Sequence, residues 1–349
     1  MNISTTDARA LFTKMLIDVY NERTTPTSFL RSFFKVKEGR TKEVSIEVQR
    51  GTEMIAVDVE RGTEGNRNKF SKSTEKIFVP PYYREYFDAT ELDLYDRMFG
   101  DGEIELAVFN EFINTVADKY RLLVDKIERA YELQCSQVFE TGIVTLVNGD
   151  NIDFKRKPAS KVDKGAGAYW ATGTVSPYVD LENGCIFMRQ KGKAQGGVFN
   201  AILGSEAFKA LMDNTIFKAA NNLFNLRLDS VIKPQRESVG GTLHGQITCG
   251  SYLVNLWTYP EYYDTATTTN NSYINPKKVI MLPEDPRFAL AFAAVPRLLT
   301  KTGSVPQKGA YIFGDYIDER DSKHIFDVKS AGVAIPVGVD QIYTVQVVA

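Results

Sequence analysis

The sequence predicts an α+β fold, and three features carry the prediction: a two-stranded arm, one long amphipathic helix and a strand-rich carboxyl end. The arm runs roughly from Thr41 to Val79. Val44, Ile46 and Val48 alternate with Glu43, Ser45, Glu47 and Gln49. After a turn near Gly51, Ile55, Val57 and Val59 alternate with Ala56, Asp58 and Glu60. Such alternation marks a half-buried strand. Arg61 to Lys76 is almost wholly polar, so the arm has too little apolar surface for a core of its own. A long hairpin is unstable alone in water. It becomes sensible lying across another copy of the chain, which points to a shell subunit and away from an enzyme.

The helix is expected over about 103–141. Leu106, Phe109, Ile113, Val116, Tyr120, Leu123, Ile127, Tyr131 and Val138 form one apolar stripe. Glu105, Asp118, Lys119, Arg121, Asp125, Lys126, Glu128 and Arg129 form a wet face. At 1.5 Å per residue the helix would span roughly 55–60 Å, and Gly142 is placed as its left-handed stop. The stripe reads as core, with a coiled-coil partner as the other reading.

Between these parts lie shorter signals. Met1 to Tyr20 is amphipathic and lacks the pattern of a signal peptide. Phe29, Leu30, Phe33 and Phe34 need a covering surface, either the local core or a neighbouring subunit. Phe78-Val79-Pro80-Pro81-Tyr82 ends the arm with two stiffening prolines. Ile143 to Phe154 reads as a hairpin around Asn148-Gly149. A helical segment is expected over Gly204 to Asn225, with Ser205 as its N-cap. One strand follows around Ile247 to Trp257, then a Thr- and Asn-rich hairpin tip or excursion at Asp264 to Asn275. Lys278 to Leu282 is a short strand, and in the tail Tyr343, Val345 and Val347 share a face, with Pro336 at a bend or edge.

Composition is that of an ordinary globular protein, 43% hydrophobic and 25% charged. A formal net charge of -2 provides no global drive toward nucleic acid. Cys135, Cys185 and Cys249 are spaced as small buried side chains in a reducing compartment. The two histidines, His244 and His324, have no metal-ligand spacing. Phosphate-loop, dinucleotide and nucleophile-elbow motifs are lacking, so no catalytic residue, cofactor or metal is expected. Lys155, Arg156, Lys157, Lys161 and Lys164 form a basic loop able to touch phosphates without sequence preference. No apolar run is long enough to span a membrane.

The order of parts resembles the lambda-type major capsid proteins of tailed phages, the phage major capsid protein E family. The resemblance rests on Phe29-Leu30-Arg31-Ser32-Phe33-Phe34, on Phe78-Val79-Pro80-Pro81-Tyr82, and on Phe313-Gly314-Asp315, Val333-Ala334-Ile335-Pro336 and Val345-Gln346-Val347-Val348-Ala349. It implies a Hong Kong 97-type fold with an N-terminal arm at 1–40 and an extended two-stranded loop at 41–82. A peripheral domain at 83–199 would hold the spine helix, an axial domain would occupy 200–315, and strands at 316–349 would return to the peripheral domain. By the same resemblance the chain forms pentamers and hexamers that enclose double-stranded DNA. Portal, scaffold and decoration proteins would be partners, the host cytoplasm the place of assembly, and the virion capsid the destination. Phe29, Leu30, Phe33, Phe34, Phe78, Pro80 and Tyr82 are the expected subunit-interface residues. An encapsulin-like cargo shell is the alternative.

Overall fold

The structure, a computed structural model, describes residues 25–48, 74–90, 106–146, 150–172, 175–223, 235–236, 239–300, 303–318, 320 and 323–349. The amphipathic stretch at the start, the turn near Gly51, the strand at 55–59 and most of the polar run after it lie outside the described residues.

The arm's base is an antiparallel pair, Val44–Val48 with Thr74–Phe78, in which Val44 lies opposite Phe78 and Val48 opposite Thr74. The expected turn near Gly51 and the strand after it lie outside the described residues, so this pairing leaves that expectation where it stood. The pair is anchored at its base. Phe78 packs on Phe154 with ring centroids 5.3 Å apart, and Val44 touches the main core.

The long helix, α1, spans Leu106–Glu140, about 50 Å at the helical rise. Gly142 stops it at φ +76°, its N–H donating to the Val138 carbonyl at 3.1 Å. Ile127, Tyr131 and Val138 of the predicted stripe are buried, while the side chains of Leu106 to Thr115 fall outside what is described. The wet face holds at Asp118, Lys119, Arg121 and Lys126 and then ends. Asp125 is buried, which corrects its placement on that face. From Tyr131 onward the helix is covered on all sides, as a helix crossing a core must be.

A seven-stranded mixed sheet runs in the order Lys161–Asp163, Tyr343–Gln346, Lys278–Pro283, Val198–Leu203, Tyr252–Thr258, Thr242–Cys249, Gln235–Arg236. Its two faces separate two cores. Ile202, Ile280 and Leu282 join Tyr131 and Phe139 of α1. The alternate residues Ala201, Leu203, Val279 and Met281 join Leu181, Cys185 and Met188 of α2 (Pro177–Gln190) and Leu211 of α3 (Ser205–Asp213). Tyr343, Val345 and Val347 enter this second core together, the shared face the sequence predicts.

Two departures have local causes. The single helix expected over 204–225 is α3 followed by α4 (Thr215–Leu223). Asn214 breaks it in an extended conformation, and its Oδ1 caps the new start by accepting the N–H of Ile216 at 3.0 Å and of Phe217 at 3.1 Å. The residue before α3 is Gly204, so Ser205 is its first residue and not its cap. The strand expected at 247–257 is a hairpin, with Gly250 at φ +59° turning Cys249 back onto Tyr252. The other two hairpin expectations hold: Ile143 pairs with Asp153, and Tyr262–Tyr263 pairs with Asn271–Ser272 around the Thr- and Asn-rich tip.

Smaller sheets complete the body. Ile312–Asp318, Lys323–Ser330 and Tyr83–Thr90 form an antiparallel sheet against α1. Lys35–Glu38 runs parallel to Phe288–Phe292, which pairs with Gly332–Pro336. Pro336 ends that edge strand, as its missing N–H requires.

Candidate assembly surface

The segment from Ser28 to Phe34 is tied to α1 by one buried carboxylate. Glu132 Oε1 accepts the Leu30 N–H at 2.7 Å and the Tyr259 hydroxyl at 3.0 Å, and its Oε2 accepts the Arg31 N–H at 3.2 Å. The Arg31 guanidinium adds an ion pair at 3.4 Å. Burial pushes the Glu132 carboxyl up to about 7, against the pull of these donors. Around this anchor Phe29 packs between Trp257 and Tyr259, and Phe34 between Phe139 and Phe288.

This geometry decides the first aromatic cluster. Phe29, Leu30 and Phe34 are buried within the chain's own core and Phe33 is half-buried against it. For Phe29, Leu30 and Phe34 the expected interface role gives way to the local-core reading, because the chain itself covers them, while half-buried Phe33 keeps a face open. At the arm exit, where the chain leaves one strand at Phe78 and enters the next at Tyr83, the three expected residues differ. Phe78 faces inward, Pro80 is buried and Tyr82 is 51% exposed.

Three further apolar residues beside the arm are open to solvent and were not singled out in the sequence: Val36 at 62%, Ile77 at 59% and Val79 at 55%. Ile77, Val79 and Tyr82 fall within six residues at the arm exit, and Val36 lies on the strand Lys35–Glu38 that precedes the arm. Exposed apolar side chains such as these are what a contact between subunits covers. Their signal was present in the sequence, since Ile77 and Val79 alternate with Phe78.

The outer face of the sheet on α1 carries Arg84, Tyr86 and Tyr316. Beneath them Asp327 is fully buried. Its Oδ2 accepts Arg84 Nε at 3.0 Å and Lys329 Nζ at 3.0 Å. Arg84 also reaches the Tyr316 hydroxyl at 3.1 Å. Gly314 makes this possible, because a Cβ there would lie 2.4 Å from Asp327 Oδ1. Glu132 and Asp327 escaped sequence reasoning, as isolated acids among 44 acidic residues carry no pattern.

The basic loop does not present five free cations. Arg156 is buried, donating to the carbonyls of Phe139 at 2.7 Å, Ser160 at 2.9 Å and Ile342 at 3.3 Å, and burial lowers it to about 10. Lys155 pairs with Asp153 at 2.7 Å, Lys157 with Asp340 at 2.6 Å, and Lys164 with Asp180. His244 bonds Thr258 at 2.7 Å and stacks near Phe208. His324 lies 3.4 Å from Asp315. Cys135, Cys185 and Cys249 are buried and unbridged. Among the described residues no group of His, Cys, Asp or Glu is arranged to hold a metal ion, and no helix is long and apolar enough to cross a membrane.

A long helix carrying a short antiparallel sheet, a second sheet between two cores and an arm with an exposed apolar base together define a capsid-type subunit. The chain belongs to the phage major capsid protein E family, which it matches over residues 12–346. Its fold is of the Hong Kong 97 type. It is similar to the crystal structure of a protein described as the capsid protein of an E. coli CFT073 prophage, with TM-score 0.61, 16% identity and 100% of both chains covered. It is also similar to the mature capsid of bacteriophage PhiM1, with TM-score 0.51 and 10% identity over 94% of this chain and 89% of that one. No curated protein matches the chain in sequence.

Proposed function

We propose that this phage major capsid protein closes, as pentamers and hexamers, into an icosahedral shell around double-stranded DNA. The observation that carries the reading is the exposure of Ile77, Val79 and Tyr82 at the exit of the strand pair, and of Val36 in the strand before it. Contacts of this kind are weak singly and sum across a closed lattice. The shell holds DNA without sequence preference, consistent with a net charge of -2 and with loop lysines paired within the chain. The role is structural and not catalytic. Assembly takes place in the host cytoplasm with scaffold and portal, and a decoration protein binds the finished surface.

In this reading residues 1–40 are the arm that precedes the extended loop at 41–82. The peripheral domain takes 83–199, the axial domain 200–315, and residues 316–349 return to the periphery. The border at 199/200 falls inside strand Val198–Leu203, so it divides the chain and not the packing. The family match favours this reading over an encapsulin-like cargo shell. Sedimentation velocity on the chain co-expressed with its scaffold tests it. Fast-sedimenting particles that protect DNA from nuclease are expected; material that sediments only as monomer in every buffer contradicts it.

A further inference from the structure

Gln341, 2% exposed, fastens two loops that both carry cations. Its Nε2 donates to the Gly192 carbonyl at 3.2 Å, and its Oε1 accepts the Arg287 N–H at 2.9 Å. Gly192 lies flush on the turn Val339–Gln341, since a Cβ there would stand 2.5 Å from the Asp340 carbonyl oxygen. Lys191 and Lys193 flank that glycine just after α2, and both are exposed, as is Arg287. From a third direction Lys157 reaches the Asp340 carboxylate at 2.6 Å with half of its side chain still exposed. One residue past the turn, the Ile342 carbonyl accepts the buried Arg156 guanidinium at 3.3 Å. The described acceptors of Arg156 are carbonyls and the Thr344 hydroxyl, so its charge adds to those above it.

Sequence distance hides this gathering, because the exposed cations come from positions 157, 191, 193 and 287 and the turn that collects them from 339–341. The acids placed with them are Asp340 and Glu284, the latter exposed three residues before Arg287. The corner is therefore basic on a chain whose net charge is -2. A local field of this sign attracts anions whatever the total charge. The class of anion follows from what surrounds the cations. No exposed large apolar residue belongs to these segments, although a protein contact has an apolar and aromatic centre. Backbone phosphates need only cations on a surface. We propose that Lys157, Lys191, Lys193 and Arg287, gathered on the turn at 339–341, contact the phosphates of double-stranded DNA. The inference rests on the shell reading for its ligand, since that reading supplies the DNA. Lys157 can exchange Asp340 for a phosphate, as exposed ion pairs are weak.

Full-length subunits, kept unassembled, are titrated into a fluorescent mixed-sequence duplex of about 30 base pairs at several salt concentrations. Micromolar binding that weakens steeply with salt is expected, and no binding would overturn the proposal. Lys191→Glu with Arg287→Glu should weaken binding roughly tenfold or more and lower the slope of log affinity against log salt by about 2. Lys209→Glu with Lys218→Glu, exposed on α3 and α4, makes the same change in net charge and should leave the slope within about 0.5 of the parent. Equal losses in both variants would mean that total charge alone is read and would overturn the proposal, as would an unchanged slope in the first. Lys191→Gln with Arg287→Gln repeats the test without new acids, and unfolding midpoints equal to the parent's establish that the variants are folded. Polyglutamate that competes better than unlabelled duplex at equal charge would assign the corner to an acidic protein instead. Because binding is read on subunits, failure to form shells would remove the shell reading alone. Closed shells with unchanged duplex affinity in the first variant would remove this inference alone.

Discussion

Glu132, inside the long helix, accepts the backbone N–H of Leu30 at 2.7 Å across 102 positions of the chain. This bond, with the Arg31 ion pair and the Tyr259 hydroxyl, makes a charged residue the joint between the N-terminal segment and α1. A carboxylate in this position holds two backbone donors that have no strand to pair with. The joint positions Phe29 and Phe34 in the core and leaves Val36, two residues later, on the surface.

Replacing Glu132 with Ala would leave both N–H groups without their acceptor and the Arg31 cation with Glu128 alone, at 3.3 Å. Loss of one partner from a buried charged network costs about 3–5 kcal/mol. Urea unfolding of the disassembled subunit is expected to show that loss, with Glu132→Gln retaining part of the stability because its amide oxygen still accepts.

The same residue gives a pH dependence with a defined sign. Its folded-state value of about 7 lies above the ordinary 4.5, so between these values the folded chain binds more protons than the unfolded one. The contribution is therefore fully present below about pH 4.5 and is lost as pH rises through about 7, on the order of 3 kcal/mol in all. Denaturation midpoints measured from pH 5 to 8 should fall less steeply in Glu132→Gln than in the parent chain.

Gly142 separates backbone strain from crowding. At φ +76° an added Cβ would lie 2.5 Å from the Arg156 side chain, whereas at Gly165, φ +73°, nothing lies within 4 Å. Gly165→Ala is expected to cost about 1–2 kcal/mol from conformation alone. Gly142→Ala should cost more, about 2–4 kcal/mol, because Arg156 must move off the carbonyls it holds. Equal losses in thermal unfolding would show that Arg156 yields freely.

The two aromatic clusters should respond oppositely to substitution. Phe34→Ala is expected to cost about 3–5 kcal/mol of subunit stability, because it empties a core site between Phe139 and Phe288. Tyr82→Asp or Ile77→Ser should change unfolding by about 0.5 kcal/mol or less and instead reduce the yield of particles. Unaltered particle yield with these exposed-site variants would remove the arm base from the interface.

Elements with strong local pattern were legible. The helix ending at Gly142, the hairpin at 143–154 and the inward face of Tyr343, Val345 and Val347 follow from periodicity and turn chemistry alone. What was not legible depends on distant partners. Val44–Val48 pairs with the distant Thr74–Phe78, a pairing fastened by Phe154 against Phe78 and by the core beside Val44. Phe29 and Phe34 read equally as core or contact until α1 and Trp257 are placed around them. Asn214 and Gly250 were short polar breaks inside longer patterns, too brief to outweigh the flanking hydrophobics. Arg156 looked like one more loop cation because carbonyl acceptors leave no trace in sequence.

Electron microscopy of the full-length chain, alone and then with its scaffold, is the measurement to make first. Closed icosahedral particles, or rings of five and six subunits, are the predicted result, with the arm of each subunit lying across a neighbour. Well-folded monomers that remain dispersed in both conditions, at every concentration and buffer in which phage shells form, would contradict a shell subunit.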